Sequence, residues 1–517
     1  MKNFIEKVKK ICIDKRVLTT LICCAFGLLY TVYIHSNISI NNGFVYPQYN
    51  IIYWAVSIGL LLVLIGMIIY IITKKELKLH IVFIALAIIF GISYLIVAPI
   101  QNGSDEVAHF YRVFEVATGQ LVTQTNENGK FIEKNLPTSM IELTDSENTD
   151  ASIKIHDLPE KMQIELNKNE KTDKDANTGT SVYSPIVYAP QALGMAIGLK
   201  LNLSPLLIAN LSRMFGFIVW VAICAYAIKL MPSKKEFFLI LMLLPSSITS
   251  AVTLSADTIL NAFSFLLIAK VLELTARDEK VNIKDNLILI ISSVIIGQCK
   301  MAYLPLIFIC LLIPMNKYKN KKSYFISNAI IIICAFFGTW IWDKVAASTH
   351  YGTGIGEQQL WILAHPINYI IVMFRTAVEY FNHIFFGIAA GNSLYQARVQ
   401  VPDVISLGLL LCLGISLFIK ESKVEIALWK KVFVICIMGG IALLVVTAMY
   451  VSATTIVTGQ VGTKIIEGIQ GRYFIPAIAL CVMLFKRKSI NINEKYVYVA
   501  TIMLQFAVIL NTLLTFI

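Results

Sequence analysis

Acidic residues are nearly absent from the long apolar stretches of this chain. Glycine-rich phosphate loops, Walker patterns, nucleophile elbows and nucleic-acid motifs are missing as well, which argues against a nucleotide-consuming cytoplasmic enzyme. Cysteine is present but forms no redox framework. Cys23, Cys24, Cys224, Cys310, Cys334, Cys412, Cys436 and Cys481 lie inside apolar runs, and the polar stretch 100–184 has none. Neither a disulfide scaffold nor a thiolate metal cluster is indicated. Internal repeats, heptads and low-complexity tracts are also lacking.

What the chain has is hydrophobicity. Of its 517 residues 57% are hydrophobic, and the mean hydropathy of +0.71 excludes a soluble globular protein and a disordered one. Crossing a bilayer takes about 20 apolar residues at the helical rise. Runs of that kind are read at 17–35, 51–73, 80–99, 206–231, 237–254, 257–275, 285–299, 301–315, 323–345, 403–420, 430–450, 472–486 and 496–516, with 285–299 and 301–315 both short. Backbone in hydrocarbon must satisfy its own hydrogen bonds, so the runs predict an all-α polytopic integral membrane protein of about thirteen helices. The first run is long and lacks a small-residue cleavage site, so it reads as a retained anchor.

The net charge of +12 is unevenly spread: 100–184 carries 15 acidic against 8 basic residues, leaving +19 for the rest. The basic groups fall in short connectors: 2–16, Lys74-Lys75, Lys234-Lys235, 317–322, Lys430-Lys431 and Lys486-Arg487-Lys488. The positive-inside rule makes these cytoplasmic, and anionic headgroups rather than nucleic acid account for the basicity. The N-terminus is then inside and the acidic loop outside. The parity also requires 183–200, with Pro185 and Pro190, to lie along the outer surface as a juxtamembrane helix. Five regions follow: spans 1–99, the acidic loop and juxtamembrane helix 100–200, a central module 201–345, a second outer segment 346–402 and a C-terminal module 403–517. The second outer segment holds His350, Trp361, His365, Arg375, Glu379 and His383, and reads as an amphipathic lid.

The same parity brings Asp105, Glu106, His109, Asp257, Lys300, Arg375, Arg398 and Arg472 to the outer face. Charge beside a membrane span is costly unless it meets water or a partner. In Asp105-Glu106-x-x-His109, Asp105 and His109 share a helical face and Glu106 points about 100° away. A carboxylate there suits a general base, or a divalent cation held by Asp105 and Glu106; it also suits an N-cap at Ser104 or Asp105. A zinc-protease site is disfavoured because no third ligand stands out. Arg472, in Gln470-Gly471-Arg472-Tyr473-Phe474-Ile475-Pro476, presents a planar fork matched to phosphate oxygens, and Gly471 allows close backbone approach. Lys300 stands alone between two short apolar runs, in Lys300-x-x-Tyr303-x-Pro305, fit to meet an anion or to pair with Asp257. Pro245 should kink 237–254, while Asp257 either caps the next helix or touches substrate. Tyr183-Ser184-Pro185 returns the chain to the membrane.

These pieces, in this order and with Phe110 and Arg112 completing the first motif, resemble a bacterial membrane family known as domain of unknown function 2142. Through it they resemble the GT-C superfamily of membrane glycosyltransferases. The resemblance covers about 80–500. It implies a GT-C-like fold and an enzyme that uses a polyprenyl-phosphate-linked sugar, with no cofactor required. The acceptor would be an extracytoplasmic polysaccharide, a lipid-linked glycan or a protein. The superfamily's acidic catalytic residue maps onto Asp105, with Glu106 competing, and its lipid-phosphate ligands onto Arg472 and Lys300, with Tyr473 beside them. His109, Arg112, Tyr183, Asp257, Tyr303 and Gln470 are the further site candidates. One departure is the presence of two spans before the span that leads into the acidic loop. The other readings are a transporter or flippase for a lipid-linked glycan and a non-catalytic scaffold of a cell-envelope assembly.

Overall fold

The structure, a computed structural model, describes residues 14–40, 47–125, 131–144, 153–175, 178–346, 355–391, 394–395, 397–486, 488 and 490–517. His350, Arg487 and most of the basic N-terminal stretch lie outside the described residues. The protein is a multi-pass helical bundle. Among the described residues 8 helices are long and apolar enough to cross a membrane, or up to 10 if two bent pairs each count as one span. The long ones are Lys15–Ile40, Gln48–Thr73, Leu79–Val97, Pro205–Leu230, Asp257–Ala276, Lys321–Val345, Leu428–Met449 and Glu494–Phe516.

The other expected runs are shorter or broken. The expected span 237–254 is two helices, Lys235–Leu243 and Pro245–Val252, bent by 59°. Pro245 removes a backbone donor and disfavours helical geometry at Leu244, so the ladder breaks there. Residues Met301–Leu312 form a 3-10 helix with Pro305 inside it. At about 2 Å per residue such a helix of 12 residues extends roughly 24 Å. Ile283–Cys299 and Asp403–Ile419 have 17 residues each, and 471–483 is a chain of 3-10 and α turns.

The all-α expectation agrees with the bundle, and the acidic loop adds one feature to it. The acidic loop contains a three-stranded antiparallel sheet, β1 Gln124–Thr125, β2 Phe131–Pro137 and β3 Lys171–Asp175, in the order β1-β2-β3. Gln124 pairs with Ile132, Ile132 with Asp175 and Pro137 with Lys171, with a bulge between Glu133 and Leu136. A polar loop outside hydrocarbon has water for its unpaired edges, so strands are permitted there and not in the bundle.

Connectors gather at the two ends of the bundle. At one end Lys495 bonds the carbonyl of Lys74, Lys420 pairs with Glu494, the backbone N–H of Ser422 donates to Lys486, and Lys430 donates to the carbonyl of Leu312. At the other, Trp342 donates to the carbonyl of Val182, Arg398 to Asn102, and Lys154 to the carbonyl of Thr515. The most enclosed helices, Asp257–Ala276 and Glu494–Phe516, run between these ends through the apolar core.

The segment expected as a lid holds Ile355–Ala364 and Pro366–Glu379, which meet at 107° where His365 precedes Pro366. Tyr369 and Val372 pack on Tyr450, Ile466 and Ile469, and Tyr380 donates to Glu467 at 2.9 Å. This segment thus rests on the loop that leads into Arg472. The juxtamembrane segment is a 3-10 turn, Pro185–Tyr188, followed by the helix Ala189–Lys200.

Candidate functional site

The first motif separates its two carboxylates. Glu106 opens the helix Glu106–Ala117 and is buried, whereas Asp105 before it is exposed. The Glu106 carboxylate accepts from Arg213 Nε at 2.7 Å and from the Arg213 terminal nitrogen at 2.5 Å. It also accepts from the backbone N–H groups of Gln101 at 3.0 Å, Gly103 at 3.1 Å and Leu254 at 3.0 Å. Five donors saturate the roughly four lone-pair sites of a carboxylate. Arg213 further donates to the carbonyls of Ala98 and Pro99. The clasp therefore ties the end of one span to the middle of another and to the turn after Val252. Gly103 is required beneath it: a Cβ there would lie 2.8 Å from Thr253 Cγ2 and 2.9 Å from Glu106 Oε2.

Asp105 sits at the N-cap position with φ 57°, in the left-handed region, and makes no capping bond. The expected cap is thus replaced by Glu106 reaching back to Gly103. Asp105 lies within electrostatic reach of His109, Tyr183 and Arg472.

Opposite it stands a cluster from three distant elements. Lys300, at the extended joint between Ile283–Cys299 and Met301–Leu312, meets Asp257 Oδ1 at 2.5 Å. Arg472 approaches Asp257 Oδ2 at 3.8 Å. The Tyr473 ring lies under both cations, 5.0 Å from Lys300 and 5.2 Å from Arg472. Tyr303 donates to the carbonyl of Tyr473 at 2.8 Å, which fixes the 3-10 segment against the Arg472 turn. Gly471 is demanded by contact, since a Cβ would fall 2.2 Å from the carbonyl oxygen of Ile384 and 2.4 Å from Gly387 C. Arg472 Nε is buried and has no hydrogen-bond partner among the described residues.

His109 and Tyr183 both lie within electrostatic range of Asp105 and Lys300. Their rings stack at 6.1 Å, Lys300 lies 5.9 Å over Tyr183, and His109 Nδ1 is 2.7 Å from the Tyr188 hydroxyl. Burial pushes the His109 imidazole down to about 4, against the opposing pull of Asp105. It is neutral at pH 7. Burial likewise raises the Tyr183 phenol, which stays protonated.

The structure brings together Asp105, His109, Tyr183, Asp257, Lys300, Tyr303, Arg472 and Tyr473, and Gln470 adjoins them through a 3.5 Å contact with Ser104. Two of the sequence-derived candidates stand apart. Glu106 is held by Arg213, and Arg112 pairs with Glu115 at 2.8 Å while donating to the carbonyls of Leu121 and Tyr183. Sequence reasoning missed Arg213. An arginine well inside an apolar run was the available signal, because such a charge needs a buried partner. A divalent ion on Asp105 and Glu106 does not fit, as the Glu106 oxygens are already taken by N–H donors. Among the described residues no group of three or more His, Cys, Asp or Glu is placed to hold a metal.

The family model described as predicted membrane protein (DUF2142) matches residues 88–481. That stretch contains the Asp105 turn, Asp257, Lys300 and Arg472. The chain belongs to this family. It matches no curated protein and no solved structure. Family membership agrees with the multi-pass architecture and leaves chemistry to be argued from the site.

Proposed function

We propose that this protein is a membrane glycosyltransferase of the GT-C type, moving a sugar from a polyprenyl-phosphate carrier to an extracytoplasmic acceptor glycan or protein. The observation that carries the reading is an exposed carboxylate, Asp105, within electrostatic reach of a buried arginine whose Nε lacks a partner among the described residues. The positive-inside rule assigns the end with the basic connectors to the cytoplasm and the site to the outer face.

The step is an inverting displacement. Asp105 takes the proton from the acceptor hydroxyl as its oxygen bonds the anomeric carbon. The bond from that carbon to the phosphate oxygen breaks on the opposite face, and the electron pair leaves with the polyprenyl phosphate. Arg472 stabilises the charge that develops there, and the Lys300–Asp257 pair holds the guanidinium in place. A phosphate leaving group needs no protonation, so one base suffices and the neutral His109 is not called on as an acid. Glu106 positions Asp105 through the turn it pins.

Asp105→Asn tests this in membranes supplied with labelled lipid-linked sugar. Transfer should fall by about 10²–10⁴, the worth of one placed base, with the folded yield unchanged. Undiminished transfer would remove Asp105 from the role.

A further inference from the structure

A narrow cleft adjoins Arg472. The helix Pro245–Val252 carries Ser246, Thr249 and Ser250, and Thr253 follows it. At i, i+3, i+4 and i+7 these four hydroxyls share one face. They line the cleft with Tyr395 and Arg472, next to Ser104, and its volume of about 10 Å³ admits one water-sized group.

The donor and acceptor pattern of the cleft is specific. Thr249 donates to the carbonyl of Pro245 at 2.8 Å, Ser250 to Ser246 at 2.7 Å, and Thr253 to Thr249 at 3.0 Å. Ser246 donates to the carbonyl of Ile388. Each hydroxyl has thus committed its proton to the backbone and faces the cleft as an acceptor. The lining also contributes two buried donors, from Tyr395 and Arg472. The Tyr395 side chain is only 3% exposed, and its hydroxyl has no partner among the described residues, like Arg472 Nε. Buried polar atoms are ordinarily bonded, so two on one cleft mark a place where a ligand completes the set. A row of acceptors repels a bare phosphate, which is itself acceptor-only, and suits a group rich in O–H donors.

We infer that this cleft reads one hydroxyl of the transferred sugar, while Arg472 beside it holds the phosphate to which that sugar is joined. The inference rests on the glycosyl-transfer reading and names the specificity surface of that site. Pro245, by breaking the helix, frees the 245–253 face to point at Arg472 rather than continue an ideal span.

The test is ligand-observed saturation-transfer NMR on the full chain in detergent. The probes are hexose and pentose 1-phosphates and the matching methyl glycosides. The wild type should transfer saturation to sugar protons, and one stereochemical series should give the strongest signal. Tyr395→Phe, which removes an oxygen without a partner among the described residues, and Ser250→Ala should each weaken that signal by about fivefold, the worth of one net hydrogen bond. The thermal midpoint of Tyr395→Phe should stay at the wild-type value. Sugar 1-phosphates should bind tighter than methyl glycosides, and Arg472→Gln should erase the difference. Equal signals from wild type and both variants, or none from the wild type, would overturn the cleft and leave it a bound water only. Equal binding of phosphates and glycosides by the wild type would also overturn the inference, placing an acceptor sugar there. These readouts involve no transfer, so they stand apart from the Asp105→Asn result.

Discussion

Replacing Arg213 separates a structural Glu106 from a catalytic one. Arg213→Met keeps much of the side-chain volume and removes the counter-charge. Glu106 would keep three backbone donors, from Gln101, Gly103 and Leu254, but lose both guanidinium bonds while fully enclosed. Removing one partner of a buried ion pair costs about 3–5 kcal/mol. Against a total stability of about 5–15 kcal/mol, that is a large fraction. The double variant Glu106→Gln with Arg213→Met should recover part of the loss. A glutamine oxygen still accepts from the backbone, and no unpaired charge remains buried. Thermal unfolding in detergent, followed by tryptophan fluorescence, reads the order: wild type highest, double variant next, Arg213→Met lowest. A wild-type midpoint for Arg213→Met, or a double variant no better than the single, would refute the clasp. A Glu106→Gln protein that folds like the wild type but transfers no sugar would restore Glu106 as the base.

Three further outcomes follow from the geometry. Gly471→Ala should abolish correct folding, because its methyl would meet the backbone of 384–388 and not a movable side chain; the yield of monodisperse protein after detergent extraction measures it. The pH dependence of stability should carry a His109 component. Its folded value of about 4 lies below the ordinary value of about 6.5. Between these the unfolded chain binds a proton that the folded chain refuses, so stability should fall as pH drops from about 6.5 towards 4 and be flat above. His109→Gln should flatten that part of the midpoint-versus-pH curve, while leaving the groups that face it (Asp105, Asp257, Lys300 and Arg472) in place. Single cysteines at the exposed Glu165 and Lys423, in a cysteine-free background, should react with a membrane-impermeant maleimide only from outside and only after permeabilisation, respectively; the reverse labelling would invert the orientation.

The bundle was largely legible because long apolar runs leave the backbone one solution. Pro245, as a break in 237–254, was legible for the same covalent reason. Other features depend on packing that adjacent letters do not encode. Nothing in Met301–Leu312 distinguishes a stretched 3-10 helix from an α-helix, and the small sheet at 124–175 has no strong alternation of apolar residues. Asp105 and Glu106 are neighbours of similar chemistry, and only the fold reveals which one meets an arginine 107 residues away. The Lys300–Asp257 pairing had two readings, and a contact of 2.5 Å shows the ion pair.

That ion pair changes which cation matters. Asp105 and Asp257 supply two negative charges, Lys300 and Arg472 two positive, and His109 is neutral, so the cluster balances as a whole. The balance is not uniform in space. Asp257 is matched at close range by Lys300 and only at 3.8 Å by Arg472. Arg472 therefore owes part of its neutralisation to Asp105, which makes no ion pair with it within contact range. Two opposite charges held apart, one exposed and one with an unfilled donor, would ordinarily collapse together or be solvated. Here the turn fixed by Glu106 and Arg213 holds one, and Gly471 with Tyr303 holds the other. The separation is built in at both sides, which is what preorganisation for a ligand negative at one end and proton-donating at the other requires. Lys300 then serves as the anchor of Asp257, and on the proposed reading Arg472 is the cation left for the phosphate.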